Sequence, residues 1–194
     1  MRRRQFMIEV VRISALCAVG LATMMALGRT PARGETFSAH ASVTTAEGAS
    51  ATAPATIVVH RWSTGRDRDA LVAAIRSGGS GAARALLAGR EDIGAIQLGA
   101  TMTAIKHANT RPTDRGRLVT IVTAEPVWFL GVGDPTAKPR AGYDLGVVLL
   151  DLDAYGKGEG ELAPAATVQI DARGAVVTKD YGAEVVRLSN VTQQ

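Results

Sequence analysis

Residues 145–171 read LGVVLLDLDAYGKGEGELAPAATVQID, and this stretch decides the fold class that the sequence predicts. The apolar run at 147–150 predicts a strand that is buried on both faces. The glycine-rich segment 156–160 follows it and predicts a tight turn. Apolar and polar residues then alternate over 166–171, which is typical of a strand with one face in water. Two strands joined by so short a turn favour antiparallel pairing.

The rest of the chain extends this pattern in both directions. Beyond residue 90, turn residues recur between alternating segments, so we expect about 7–8 strands in all, the first of them at 57–62. Helical spacing then predicts two short helices, one capped by Thr64 and Asp67 and one by Ser80, which are separated by glycines. The predicted fold class is α+β: a mostly antiparallel β-sheet with an N-terminal two-helix hairpin inserted after strand 1.

The first 28 residues have the features of an export signal. They hold four arginines and one glutamate, an apolar run at 13–27, and small residues at Ala26 and Gly28. Most of the formal net charge of +4 therefore lies in this segment, and the remaining chain lacks the concentrated positive charge that nucleic-acid binding needs. The apolar run is shorter than the roughly 20 residues of a spanning helix, so we expect cleavage after Gly28. An uncleaved membrane tether is the alternative.

The predicted location is therefore periplasmic or extracellular. Arg3 and Arg4 resemble the twin-arginine export signal, and the general secretion route is the alternative. Cleavage removes Cys17, the one cysteine of the chain, which excludes thiol chemistry from the mature form.

Residues 29–55 consist largely of Ala, Thr, Ser, Gly and Pro. Such a composition predicts a disordered linker, because it cannot bury enough apolar surface to offset the entropy of ordering. The sequence thus predicts three parts: an export signal at 1–28, a disordered linker at 29–55 and a single α+β domain at 56–194.

Three separated patches carry a resemblance to a known family. They are HRWST at 60–64, GKGEG at 156–160 and YGAEVVRLSNV at 181–191. In these patches the chain resembles a family of exported bacterial proteins of unknown function. The resemblance implies export and the limits of the domain, and it implies no activity, cofactor or site residue.

Five side chains are candidates for binding a ligand. His60 and Trp62 share one face of the first predicted strand, and an imidazole is the side chain that titrates near neutral pH. Trp128 lies in an irregular stretch, where it is predicted to line a pocket with Tyr143. Asp144 is the carboxylate that a site based on His60 would need. Packing in or beside the core is the alternative for both tryptophans.

A candidate metal site lies beside the glycine-rich turn. Asp151, Asp153 and Glu159 are expected to approach one another across the hairpin, and carboxylate oxygens are the ligands that calcium prefers. The spacing departs from that of an EF-hand loop, whose fifth and twelfth positions are here Tyr155 and Leu162. A solvated hairpin tip is the alternative, and the sequence predicts no cofactor.

No nucleophile elbow, phosphate-binding loop, zinc cluster or dinucleotide fingerprint occurs at a workable spacing. We therefore predict a non-catalytic binding or interaction domain of the cell envelope, whose partner is a protein, an envelope component or a small molecule. Whether the chain is an enzyme stays open, because a hydrolase without a local signature, using a carboxylate or metal site with His60 or His107 as base, is the alternative. A membrane-tethered structural domain is the third possibility.

Overall fold

The computed structural model describes residues 34–44, 48, 50–129, 142–172, 174–181 and 184–194. The predicted export signal at 1–28 lies outside these residues. The elements in chain order are β1 (Glu35–Thr44), β2 (Ser50–Val59), α1 (Gly65–Ala88), β3 (Gly94–Leu98), β4 (Thr101–Ile105), β5 (His107–Thr113), β6 (Gly116–Val122), β7 (Leu145–Asp153), β8 (Lys157–Ile170), β9 (Val176–Tyr181) and β10 (Val186–Gln193).

The ten strands belong to one antiparallel sheet that curls into a nearly closed barrel. Its order is β4-β3-β2-β1-β10-β8-β7-β6-β5, and β9 extends the sheet by pairing with β8. The two ends of this order, β4 and β5, are consecutive in the chain and separated only by Lys106. The sheet must therefore bend round until its edges meet. β4 and β5 act as one bent strand that pairs first with β3 and then with β6.

The predicted disordered linker at 29–55 is wrong for the residues that the structure describes. Within it, β1 and most of β2 pair in continuous register as neighbouring strands. Alternate residues of β1 are buried in the barrel interior, namely Phe37, Ala39, Ala41 and Val43. Small side chains suffice there because the inward positions of a small barrel are filled from all strands together. The folded body therefore includes residues 35–44 and 50–55 and does not begin at residue 56.

The predicted fold class is also wrong, because one helix follows the second strand where a two-helix hairpin was expected after the first. Helix α1 leaves the helical conformation only at Gly78 (φ −151°) and Gly79 (φ 63°). The glycine pair divides α1 into two helical segments that join directly, with no loop between them. The bend brings Arg90 back to Asp67, with 3.5 Å between Nη1 and Oδ1.

The strand count exceeds the expected number for two reasons. The segment predicted as a linker supplies β1. A single strand was expected at 101–108, where the structure has β4 and β5 on either side of Lys106. The predicted strand at 145–153 is confirmed as β7. Residues on both faces of β7 are buried, because the barrel interior covers one face and α1 covers part of the other.

Helix α1 begins at the predicted capping box. The Thr64 hydroxyl accepts a hydrogen bond from the N–H of Asp67, and the Asp67 carboxylate accepts one from the N–H of Thr64 at 2.8 Å. Ser80, by contrast, does not cap a second helix. Its hydroxyl accepts a hydrogen bond of 2.8 Å from the N–H of Val168 on β8, beyond the last residue of β8 that pairs with β7.

A second apolar cluster joins α1 to the outer face of the barrel. It is separate from the cluster that fills the barrel interior. Its members from the helix and from β6 and β7 are Leu71, Ile75, Ala83, Leu87, Val122, Leu145 and Val147. The helix is therefore fixed by apolar packing along its length and by Ser80 at its bend.

We predict that Ser80→Ala lowers the free energy of unfolding by about 1–3 kcal/mol, because the N–H of buried Val168 loses its acceptor. Ser77→Ala is the matched control, since the Ser77 hydroxyl bonds only to the exposed carbonyl of Ala74. Urea unfolding of both variants measures the difference. Equal losses in the two variants would contradict the assigned role of Ser80.

Candidate functional site

One end of the barrel, which we call the mouth, opens into a cavity of about 300 Å³. β1 begins at the mouth and β2 ends there, as the pairing of Glu35 with Val59 shows. The side chains that line the cavity are Glu35, Trp62, Arg68, Asn109, Thr110 and Arg117, together with the chain at 63–65. The volume is at the lower end of the range of small-molecule sites, and a barrel mouth is a common place for one.

An ion pair forms the floor of the mouth. Arg117 holds Glu35 through two hydrogen bonds of 3.1 and 2.5 Å, and it also donates to Gln193 Oε1 at 2.7 Å. Its guanidinium carbon lies 5.8 Å from the ring centroid of Phe37. The two charged side chains are only 24% and 19% exposed, so two parallel hydrogen bonds compensate their desolvation. The pair separates the apolar interior from the cavity.

The segment before α1 forms one wall. β5 is the last strand in the sheet order, so one of its edges has no strand partner among the described residues. Ser63 occupies that edge: its N–H donates to the carbonyl of Ala108 at 2.8 Å, and its hydroxyl accepts from the N–H of Ala108 at 3.0 Å. This pairing holds the adjacent Trp62 at the mouth, where it is half-buried against the interior cluster.

The charge around the cavity favours an anionic group. Arg68 and Arg117 contribute two positive charges against the single carboxylate of Glu35. The N-terminus of α1 at residue 65 adds a partial positive charge and N–H groups without helical partners. Arg68 contacts the Asp69 carboxylate at 3.2 Å, but both side chains are largely exposed, and such a pair contributes little.

His107 lies beside the mouth, in the interface between α1 and the barrel. It pairs with Val122 across β5 and β6 and shares its outward face, and Val122 packs against the helix. The ring is fully buried. Neither nitrogen makes a hydrogen bond of ordinary geometry, although the side chain of Asn109 lies close enough to favour the protonated ring. Burial, reinforced by the charge of Arg90, lowers the pKa of His107 from 6.5 to about 4. The imidazole is therefore neutral at physiological pH.

The five residues predicted to bind a ligand do not form one site. His60 follows β2 at the mouth and is exposed, and of the five only Trp62 lines the cavity. Asp144 precedes β7 at the opposite end of the barrel. About 26 Å of strand therefore lies between Asp144 and the mouth. Tyr143 beside it donates a hydrogen bond to the Asp180 carboxylate.

Trp128 also belongs to the end of the barrel opposite the mouth. It is half-buried between Val127 and Phe129, two residues whose side chains pack into the interior cluster. They follow the far end of β6, where their apolar side chains fill the barrel. Trp128 therefore lies beside the closed end and away from the cavity.

The predicted metal ligands are engaged by other groups. Asp151 and Glu159 lie opposite each other across β7 and β8, as expected. Arg115 approaches Asp151 at 3.4 Å and Arg187 approaches Glu159 at 3.0 Å. These carboxylates line an outer groove of about 600 Å³ on the barrel wall.

Asp153 has a structural role in the same hairpin. Its Oδ1 accepts hydrogen bonds of 2.8 and 2.9 Å from the N–H groups of Tyr155 and Lys157, so it holds the turn. Among the residues that the structure describes, no group of three or more His, Cys, Asp or Glu side chains is arranged to hold a metal ion.

Sequence reasoning missed Arg68, Asn109, Thr110, Arg117 and Glu35 as members of one site. Thr64 was predicted as a helix cap. A usable signal was present in residues 60–64, because an aromatic residue just before a helix N-cap is brought close to the helix N-terminus. The strand partners that complete the cavity are distant in sequence and carry no local signal.

Comparisons of the chain with protein-family models, with curated proteins and with solved structures found no match. The resemblance based on residues 60–64, 156–160 and 181–191 therefore stays a prediction. Within the described part of the chain, no helix has both the length and the apolar character needed to cross a membrane.

We predict that Glu35→Gln lowers the free energy of unfolding by roughly 1–3 kcal/mol, because it leaves a partly buried arginine without its counter-charge. Glu159→Gln is the control, because its pair with Arg187 is mostly exposed and should contribute less than about 1 kcal/mol. Denaturant unfolding of both variants gives the comparison. A loss in Glu35→Gln no larger than in the control would refute the importance of this ion pair.

Proposed function

We propose that this protein is an exported, non-catalytic binding protein whose barrel mouth holds a small molecule with an anionic group and a flat apolar part. The observation that carries this proposal is the cavity itself, in which Trp62 and Arg68 face a floor built from the Glu35–Arg117 pair. An indole supplies a flat apolar surface, and a guanidinium binds carboxylates and phosphates.

The mouth is a better candidate than the larger groove on the outer wall. In the groove, Asp151 and Glu159 are already paired with arginines that are themselves well exposed. A ligand there would compete with existing ion pairs in water and gain little. The lining of the groove carries three carboxylates, Asp151, Glu159 and Glu161, and one arginine, so it disfavours an anion. The lining of the mouth carries two arginines and one carboxylate, and the helix N-terminus adds positive charge.

The arrangement supports binding over hydrolysis. General acid–base catalysis requires a base within about 2.6–3.2 Å of the proton that it removes. His60 and Asp144 lie at opposite ends of the barrel, and the nitrogens of His107 are buried beneath α1. Asp153 is occupied by the turn that it holds. Within the described residues, these groups do not converge on one reacting atom.

An anionic group in the mouth would lie near Arg68 and the first N–H groups of α1. The capping box already uses the N–H of Asp67, which leaves the N–H groups of residues 65 and 66 to face the ligand. Asn109 and Thr110 add neutral polar groups on the opposite wall. The apolar part would then stack on Trp62, which is fixed by the pairing of Ser63 with β5.

The proposal is tested with anilinonaphthalene sulfonate, a flat aromatic anion, and with neutral phenylnaphthylamine as the uncharged counterpart. The chain has two tryptophans, so Trp128→Phe leaves Trp62 as the one energy donor to the bound dye. We expect saturable transfer from Trp62 and weaker binding of the neutral dye. Arg68→Gln should weaken binding of the sulfonate by about tenfold or more, because a hydrogen bond to a charged group contributes about 1.5 kcal/mol or more, and it should leave binding of the neutral dye unchanged.

Arg66→Gln is the matched control, because Arg66 is an exposed arginine in the same helical turn that does not line the cavity. It should leave both affinities as they are. Equal effects of the two arginine variants, or no energy transfer from Trp62, would count against a site at the mouth.

Export is a separate part of the proposal. We expect mass spectrometry of the mature protein to find an N-terminus at Arg29. Replacing Arg3 and Arg4 by lysine keeps the positive charge, so export should persist by the general secretion route and fail if the twin-arginine route is used. A full-length chain that stays in the cytosol would refute export altogether.

A further inference from the structure

His107 occupies the position where α1, the barrel and the mouth meet. Its strand neighbour Asn109 lines the cavity, and the residue between them, Ala108, is the one that Ser63 pairs with. The ring itself lies on the outward face of β5, under the helix, with no access to solvent. A buried imidazole whose nitrogens make no hydrogen bond of ordinary geometry is more stable in its neutral form than in its protonated form.

The first turns of α1 are both the wall of the mouth and the cover of His107. Thr64, Gly65 and Arg68 form the wall. The helix contacts β5, and Asp67 and Arg68 in its first turn lie close enough to His107 to act on the charge of the ring. Movement of this part of the helix away from β5 would therefore do two things together. It would expose the imidazole to water, and it would remove one side of the cavity.

Several charged groups face His107, and their effects partly oppose one another. From α1, Asp67 favours the protonated ring and Arg68 disfavours it; Arg90, which follows the helix, also disfavours it. On β6, the residue opposite is Val122, and the ammonium of neighbouring Lys106 is held by the carbonyl of Arg90 at 2.8 Å and by Asp92 at 2.6 Å. The side chain of Asn109 also favours the protonated ring. Together with the Asp67 carboxylate it is outweighed by burial and by the two arginines.

We propose that protonation of His107 releases the N-terminal part of α1 from β5 and so opens the mouth in mildly acidic solution. The inference rests on the proposed function only in assigning the mouth as the binding site. The movement of α1 is a property of the fold, and it is tested independently of ligand binding.

The sign of the pH dependence follows from the two states. With α1 in place the pKa of His107 is about 4, whereas an exposed histidine keeps its ordinary value of 6.5. Above both values neither state binds the proton, so the closed form is unaffected. Between them only the open form is protonated, and the equilibrium shifts towards opening as the pH falls. Asp67 does not cancel this shift, because its hydrogen bonds to Thr64 lower its pKa below 3.8.

Native-state hydrogen exchange measures this opening directly. After correction for intrinsic exchange rates, the opening constant of amides in the first half of α1 should rise about 30-fold from about pH 7.5 to about pH 5. His107→Leu, which cannot bind a proton, should show no such rise, and His107→Asn serves the same purpose if the leucine variant does not fold. His60→Leu is the matched control, because it removes an exposed histidine and should keep the wild-type pH profile.

Three results would overturn the proposal. One is an α1 opening constant that does not change with pH, and a second is the same change in His107→Leu. The third is an opening constant for α1 equal to that of β7 amides at each pH, because the two would then exchange only through global unfolding.

Equilibrium dialysis with anilinonaphthalene sulfonate links the opening to the mouth. The dissociation constant should rise in acid for the wild type and stay level for His107→Leu, since the sulfonate keeps its charge throughout. Acid opening of α1 without weaker dye binding would refute the link. Failure of the dye to bind at neutral pH would refute the proposed function, and hydrogen exchange would still decide whether His107 releases α1.

Discussion

The closure of the sheet through Lys106 is the constraint on which the rest of the structure depends. Because β4 and β5 are consecutive and lie at opposite ends of the strand order, the sheet has to curl into a barrel. Curling creates an interior that every strand must fill, and it creates two ends that must be sealed or left open. Val127 and Phe129 fill one end with apolar side chains. The other end carries the Glu35–Arg117 pair and stays open as the mouth.

Closure is incomplete in the described part of the chain. Two serines beside or within α1 bond to strand edges that no described strand covers. Ser63 pairs with Ala108 on β5, and Ser80 accepts from Val168 on β8. An unpaired N–H at such a position would be costly if it were buried. Ser80 of the helix and Ser63 just before it thus supply hydrogen bonds that a neighbouring strand would otherwise make. The bend at Gly78 and Gly79 is needed to bring Ser80 to the sheet. This placement also explains why α1 covers His107 and borders the cavity.

The mouth combines features that arise from different requirements of the fold. Arg117 is present at an inward position because its aliphatic part and guanidinium cover Phe37, and Glu35 neutralises it. Trp62 covers the interior where the chain passes from β2 to α1. Arg68 and the helix N-terminus add positive charge that the fold itself does not require. The excess of positive charge distinguishes the lining of the mouth from that of the outer groove, which carries three carboxylates and one arginine.

The sequence by itself determined the local features of this protein. The strand at β7, the glycine-rich turn after it, the capping box at Thr64 and the break at Gly78–Gly79 all follow from periodicity, turn chemistry and capping within a few residues. Only the tertiary structure decided that Ala39 and Ala41 are core, that Ser80 binds a strand, and that Trp62 and Trp128 lie at opposite ends. The reason is physical: small residues, serines and tryptophans take their roles from partners that strand pairing brings together over long separations along the chain, and local propensity contains no information about those partners.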